Sequence, residues 1–143
     1  MNDGQSNEVG GAKGSALRRG LAVAAGVIVV VVLSIGTDAV LHATGVFPPI
    51  GQAMSNGLFV LATAYRTVYG VAGGYVAARS APDRPMLCAV TVGIVGFVLG
   101  MIGVLATWNS GPEFGPRWYP IALVVVSVPC GWIGGRLLEM SRR

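Results

Sequence analysis

Charge is the scarcest commodity in this 143-residue chain: Asp, Glu, Lys and Arg together make up 11% of it. A soluble domain carries about 25% charged residues, so a water-facing surface of this size could hardly be covered. Histidine occurs once, as His42, and cysteine twice, as Cys88 and Cys130, with no CxxC spacing. That set offers neither a zinc site nor a disulfide framework, and the two thiols read as small apolar residues inside helices. GxSxG, P-loop and HExxH patterns are missing, and Ser34, Ser55 and Ser127 have no base near them in sequence. These absences point away from an enzyme, and no metal or cofactor is expected.

What the chain has in quantity is apolar residue, 53% of the total, and glycine, 22 residues, about twice the usual share and without a collagen-like period. The net charge of +4 is spread between hydrophobic runs, a pattern that suits membrane topology and not a nucleic-acid-binding face. Residues 1–19 are polar, Gly/Ser-rich and aperiodic, and read as a disordered tail. Four apolar runs follow, about 20–43, 57–78, 86–107 and 118–138. Each is close to the twenty or so helical residues needed to cross a hydrocarbon core, and helices are the form that satisfies the backbone there. The expectation is an all-α, integral membrane four-helix bundle occupying residues 20–143 and embedded in the lipid bilayer. A rival reading makes the first run a secretory signal cleaved after Leu33, but Asp38, His42 and the long polar tail fit that poorly.

Orientation follows from the basic residues. Lys13, Arg18, Arg19, Arg79, Arg84, Arg136, Arg142 and Arg143 fall on one side of such a bundle, and Arg117 alone on the other. The excess places both termini in the cytoplasm. Trp108, Phe114, Trp118 and Tyr119 then crowd the outer boundary as an aromatic belt.

Small residues form the expected helix contacts, because association within lipid depends on close backbone approach. Gly93, Gly96, Gly100 and Gly103 make one stripe on the third helix. Gly70, Gly73 and Gly74 serve the second, and Gly131, Gly134 and Gly135 the fourth. Pro120 suits a first turn, whereas Pro129 interrupts the fourth helix and is expected to kink it.

One polar constellation stands out. Asp38 and His42 are four apart and share a helix face, and the second helix brings Tyr65, Arg66 and Tyr69. Asp38 is the one acid within a span, so Arg66 is its natural partner. Span boundaries place the two about 10 Å apart in depth, but helix side chains lean toward their own N-termini, which narrows the gap. The group reads either as an ion pair that sets helix register or as an outward-opening site. In the site reading Arg66 binds an anion, or Asp38 and His42 exchange protons.

Three stretches together resemble a group of small, uncharacterised bacterial inner-membrane proteins: Thr37-Asp38 with Leu41-His42 and Gly45 to Pro49, then Tyr65-Arg66 through Gly73-Gly74-Tyr75 to Arg79 and Arg84-Pro85, then Gly115 to Leu123. The resemblance spans Thr37 to Gly135. It implies a bacterial four-helix inner-membrane protein and brings no activity with it. The first helix lacks the glutamate of small multidrug transporters, and the chain does not match the fluoride channels. The reading is therefore a non-enzymatic membrane component, with a small oligomeric transporter or channel, or an accessory subunit of a larger membrane complex, as alternatives. Its partners are the lipid bilayer and a second copy or a larger complex, and not nucleic acid.

Overall fold

The structure, a computed structural model, describes residues 3–143, with side chains from Gly11 onward. Four long helices account for most of the chain: α1 (Asp3–Ala43), α2 (Asn56–Ser80), α3 (Pro85–Thr107) and α4 (Trp118–Ser141). A short 3-10 turn, Pro112–Phe114, precedes α4, and no strand occurs among the described residues. The segments Gly11–Ala43, Pro85–Thr107 and Pro112–Ser141 are long and apolar enough to cross a membrane.

The remaining helix, α2, has the length but not the hydropathy, because Thr63, Tyr65, Arg66, Thr67 and Tyr69 interrupt it. Packing explains how it carries them. It touches α1, α3 and α4, and so is the helix most surrounded by protein, where polar side chains find partners. Thr63 and Thr67 also donate to the carbonyls one turn back, at 2.9 and 2.7 Å.

The beginning of α1 departs from the sequence reading. The segment expected to be a disordered tail is helical from Asp3, while Met1 and Asn2 lie outside the described residues. Ala12, Lys13, Ala16, Leu17, Arg18 and Arg19 are good helix formers. Continuing a helix already nucleated by the apolar run needs no new nucleus. Arg19 Nη2 donates to Ser15 Oγ at 3.1 Å. Its Nε stands 3.4 Å from Asp83 in the α2–α3 turn and ties the base of α1 to that turn.

Short connections make neighbouring helices antiparallel. At the arginine-rich end Ala22, Ala77, Cys88 and Val92 form one buried cluster, and Ala78, Ala89 and Leu138 another. At the opposite, aromatic end Phe59 of α2 packs on Tyr119 of α4, ring centroids 4.9 Å apart. Gly115 lies against that Phe59 ring with φ +90, a conformation and a space that exclude a side chain. Gly45, at φ +73, ends α1, and its N–H donates to the His42 carbonyl.

Glycines bring the helix backbones together. A Cβ on Gly74 would stand 2.9 Å from the Gly131 carbonyl, and one on Gly93 would stand 2.7 Å from the Ser127 carbonyl. Gly134 and Gly135 are likewise pressed against α2 and α3, and Gly70 against Cys130. Gly96 and Gly100 meet Ser127 and Val124 of α4. Gly103, expected in the same stripe, has no atom within reach of a Cβ and borders a cleft instead. Gly26 takes a role the sequence reading missed, since its Cβ would meet the Gly73 carbonyl at the α1–α2 crossing. α4 passes through Pro129 and continues to Ser141.

Candidate functional site: an ion pair at the head of a cleft

Antiparallel pairing of α1 and α2 sets Thr37-Asp38 beside Tyr65, Arg66 and Tyr69. Tyr65 and Tyr69, four residues apart, project from one face of α2 with their rings 5.6 Å apart. The Tyr69 hydroxyl shares a 2.7 Å hydrogen bond with Thr37. The Tyr65 hydroxyl donates to Asp38 Oδ1, and Arg66 Nη2 donates to Asp38 Oδ2. Asp38 and Arg66 thus meet, and the difference in depth expected from span boundaries is taken up by the opposed lean of the two side chains.

The cluster is unevenly satisfied. Both carboxylate oxygens of Asp38 have donors. Arg66, with five N–H groups to place, leaves Nε buried without an acceptor. Side chains of the pair remain about 30% exposed, 31% for Arg66 and 29% for Asp38. Tyr119 on α4 stays with the aromatic end, against Phe59 and Trp118, and is absent from the lining of the cleft described next.

His42 is not part of the cluster. Its Nδ1 is 2.8 Å from the Pro48 carbonyl, and its ring meets Phe47 edge-on at 5.4 Å. A carbonyl only accepts, so Nδ1 carries the proton. Phe47 is buried at 4% exposure, and His42 therefore fastens the loop after α1. Proton exchange between Asp38 and His42, one of the sequence readings, finds no support in this arrangement: the carboxylate is engaged by Tyr65 and Arg66, and the ring by Pro48.

What Asp38 and Arg66 face is a cleft of about 460 Å³. It exists because α1 rests on α2 and, near the arginine-rich end, on α3, while scarcely touching α4. Toward the aromatic end α1 stands away from α3 and α4. Val30, Ser34 and Ile35 form one wall, and Gly100, Gly103, Leu123 and Val126 line the other. The ion pair is at the aromatic end of this space, and Val92, Gly93 and Cys130 lie toward the other. Ile35 and Leu99 at its lips are 64% and 56% exposed. A separate hollow of about 340 Å³ lies under the loop from Thr107 to Arg117, where the Arg117 guanidinium stacks 5.1 Å from the Trp108 ring.

The lining of the cleft suits the holding of a ligand. It offers apolar walls, one charged hydrogen-bonding head and a volume within the range of about 300–1,000 Å³ usual for ligand pockets. No group of three His, Cys, Asp or Glu that could hold a metal ion occurs among the described residues. Set against protein-family models, curated proteins and solved structures, the chain matches none of them.

Proposed function

We propose that the chain is a non-enzymatic, four-span protein of the bacterial inner membrane, both termini cytoplasmic, that holds or passes a membrane-borne ligand through the cleft beside α1. The observation that carries the reading is the cleft itself: it reaches Asp38 and Arg66 and is not closed by packed side chains. A pair needed for register alone would be sheltered on all sides, whereas this one heads an open space.

Other features support the membrane placement. α2 has protein neighbours on three sides to shield its polar residues. The arginine-rich end gathers Arg19, Arg79, Arg84 and Arg136, as a cytoplasmic face would. Val32, Ile35, Val60, Val98 and Leu105 are exposed on the helices, a surface suited to lipid and not to water.

Gly103→Phe tests the ligand reading, because that position opens into the cleft and a ring there would fill it. Native mass spectrometry of the full chain released from detergent is expected to show a bound amphiphile on the native protein and none on Gly103→Phe, with both equally helical. Equal adducts on the two proteins, or none on either, would count against the cleft as a binding site.

A further inference from the structure

Two opposite charges share the head of the cleft. Asp38 and Arg66 both line it, and their side chains are open to nearly the same degree, 29% and 31% exposed. The pair is closed on itself, with Arg66 Nη2 donating to Asp38 Oδ2, so each charge already has its counterpart. Neither group is spent. A carboxylate oxygen accepts more than one hydrogen bond, and Tyr65 supplies one donor at Oδ1 while Arg66 supplies one at Oδ2. On Arg66 the Nε is buried, and the N–H groups that can meet an occupant are those of Nη1 and Nη2.

Such a pair selects against net charge. An anion drawn to Arg66 meets Asp38 beside it, and a cation drawn to Asp38 meets Arg66. Either would give up its hydration between walls that include Val30, Ile35 and Leu123, a cost offset only where the ion finds a partner of its own. An uncharged head that both donates and accepts gains at each member of the pair and leaves the ion pair closed. Its bonds there are to charged groups, the stronger kind.

A second polar group lies deeper. Ser34 is four residues before Asp38 on α1, on the same face and about 6 Å further from the aromatic end, and it also lines the cleft. Its hydroxyl can donate. Across the cleft, Ser127 gives its own hydroxyl to the Val124 carbonyl. The space beyond, past Gly100 and Val126, is apolar.

Resting on the ligand reading above, we infer that the cleft takes an uncharged single-chain amphiphile whose hydroxylated head is joined to its chain by a carbonyl-bearing link, as in a monoacylglycerol. The head hydroxyls donate to Asp38 and accept from Arg66. The link carbonyl accepts from Ser34, and the alkyl chain lies between α1 and the α3–α4 pair.

The test uses the full chain in phosphatidylcholine nanodiscs and the motionally restricted fraction of probes spin-labelled on the chain. Monostearoylglycerol, methyl stearate, octadecyl sulfate, octadecylamine and a stearoyl lysophosphatidylethanolamine share a chain and differ in the head. The native protein is expected to retain the monoacylglycerol over each of the others by about tenfold, the worth of one hydrogen bond to a charged group. The ether analogue of the glyceride lacks the carbonyl and should be held about fivefold less well, the worth of one neutral hydrogen bond. Ser34→Ala should erase that difference. Gly103→Phe should lose every probe. Asp38→Asn leaves the Arg66 charge uncompensated and should turn the preference to the sulfate, and Arg66→Gln should turn it to the amine.

Outcomes separate the two claims. Retention unaffected by Gly103→Phe overturns the cleft itself. Equal retention of all heads, abolished by Gly103→Phe, keeps the cleft as a binding site and overturns the uncharged head. Best retention of the sulfate, the amine or the zwitterionic lysolipid by the native protein overturns it too. An ester–ether difference that survives Ser34→Ala removes Ser34 from the site. Should Asp38→Asn or Arg66→Gln fail to fold, the ranking on the native protein and the Ser34→Ala comparison decide the matter, because both leave the ion pair intact.

Discussion

Arg66 lies mid-helix in α2, nine residues after Gly57 in a largely apolar run, and needs an acid. Asp38 answers it, and that match was readable from opposite charges within apolar runs. Removing one partner leaves a charge that the other must bear alone. Full burial would make this a loss of about 3–5 kcal/mol. With each side chain still about 30% exposed, Arg66→Met and Asp38→Leu are each expected to cost about 1–3 kcal/mol. The double variant should cost less than the sum, measured as a double-mutant cycle on detergent-solubilised protein. Strict additivity would show that the pair does not couple. His42 and Tyr119 were harder to place from sequence. Helical spacing put His42 on the face of Asp38, but the chain turns just after it at Gly45, and the ring follows the loop to Pro48. Tyr119 was expected at the aromatic end, but its partner Phe59 was not foreseen, because the fold of α4 onto α2 joins residues far apart in sequence. His42→Ala should loosen the Phe47 loop by about 1 kcal/mol, the usual worth of a hydrogen bond. Faster amide exchange at Phe47, whose N–H donates to the Leu41 carbonyl, would register it; unchanged protection would contradict it.

Helix boundaries at the scale of elements were legible to within a few residues for α2, α3 and α4, because apolar run length and breakers such as Pro85 mark them directly. The start of α1 was not, since low hydropathy and glycine mimic a tail even where helix propagation carries through. Glycine contacts were legible where small residues repeat at helical spacing, as in α3. Gly26 stands alone in a run of valine and alanine, so nothing local distinguished it. The two ends of this range give opposed predictions. Gly26→Val sets a branched side chain against the Gly73 carbonyl and Ala77 at the α1–α2 crossing. It should lower the thermal midpoint, with a loss of about 1–3 kcal/mol from overpacking. Gly103→Ala meets nothing and should be neutral or stabilising by up to about 1 kcal/mol, since alanine favours helix. A Gly103→Ala protein that melts well below the native one would show that the cleft is closed in solution.

The whole molecule is organised by one asymmetry. Three helices pack through glycine into a tight body, and α1 leans on it at the arginine-rich end while standing off at the aromatic end. The helical class, and the presence of segments long and apolar enough to cross a membrane, were legible from composition. The cleft was not, because it depends on how far α1 diverges from α3 and α4, and no local pattern encodes that. The proposed four-span topology depends most on α2, the helix whose hydropathy alone would not carry it across a bilayer. Cysteine substitutions at Ser55 and Ser80 bracket it, and Cys88 and Cys130 are buried away from a bulky reagent. Intact bacterial cells expressing each variant are treated with a membrane-impermeant maleimide, with lysed cells as the control. Labelling of Ser55→Cys in intact cells, and of Ser80→Cys after lysis alone, is the result expected of four crossings with both termini cytoplasmic. Labelling of both from the same side would mean that α2 does not cross, and would remove the bundle on which the cleft and its ligand depend.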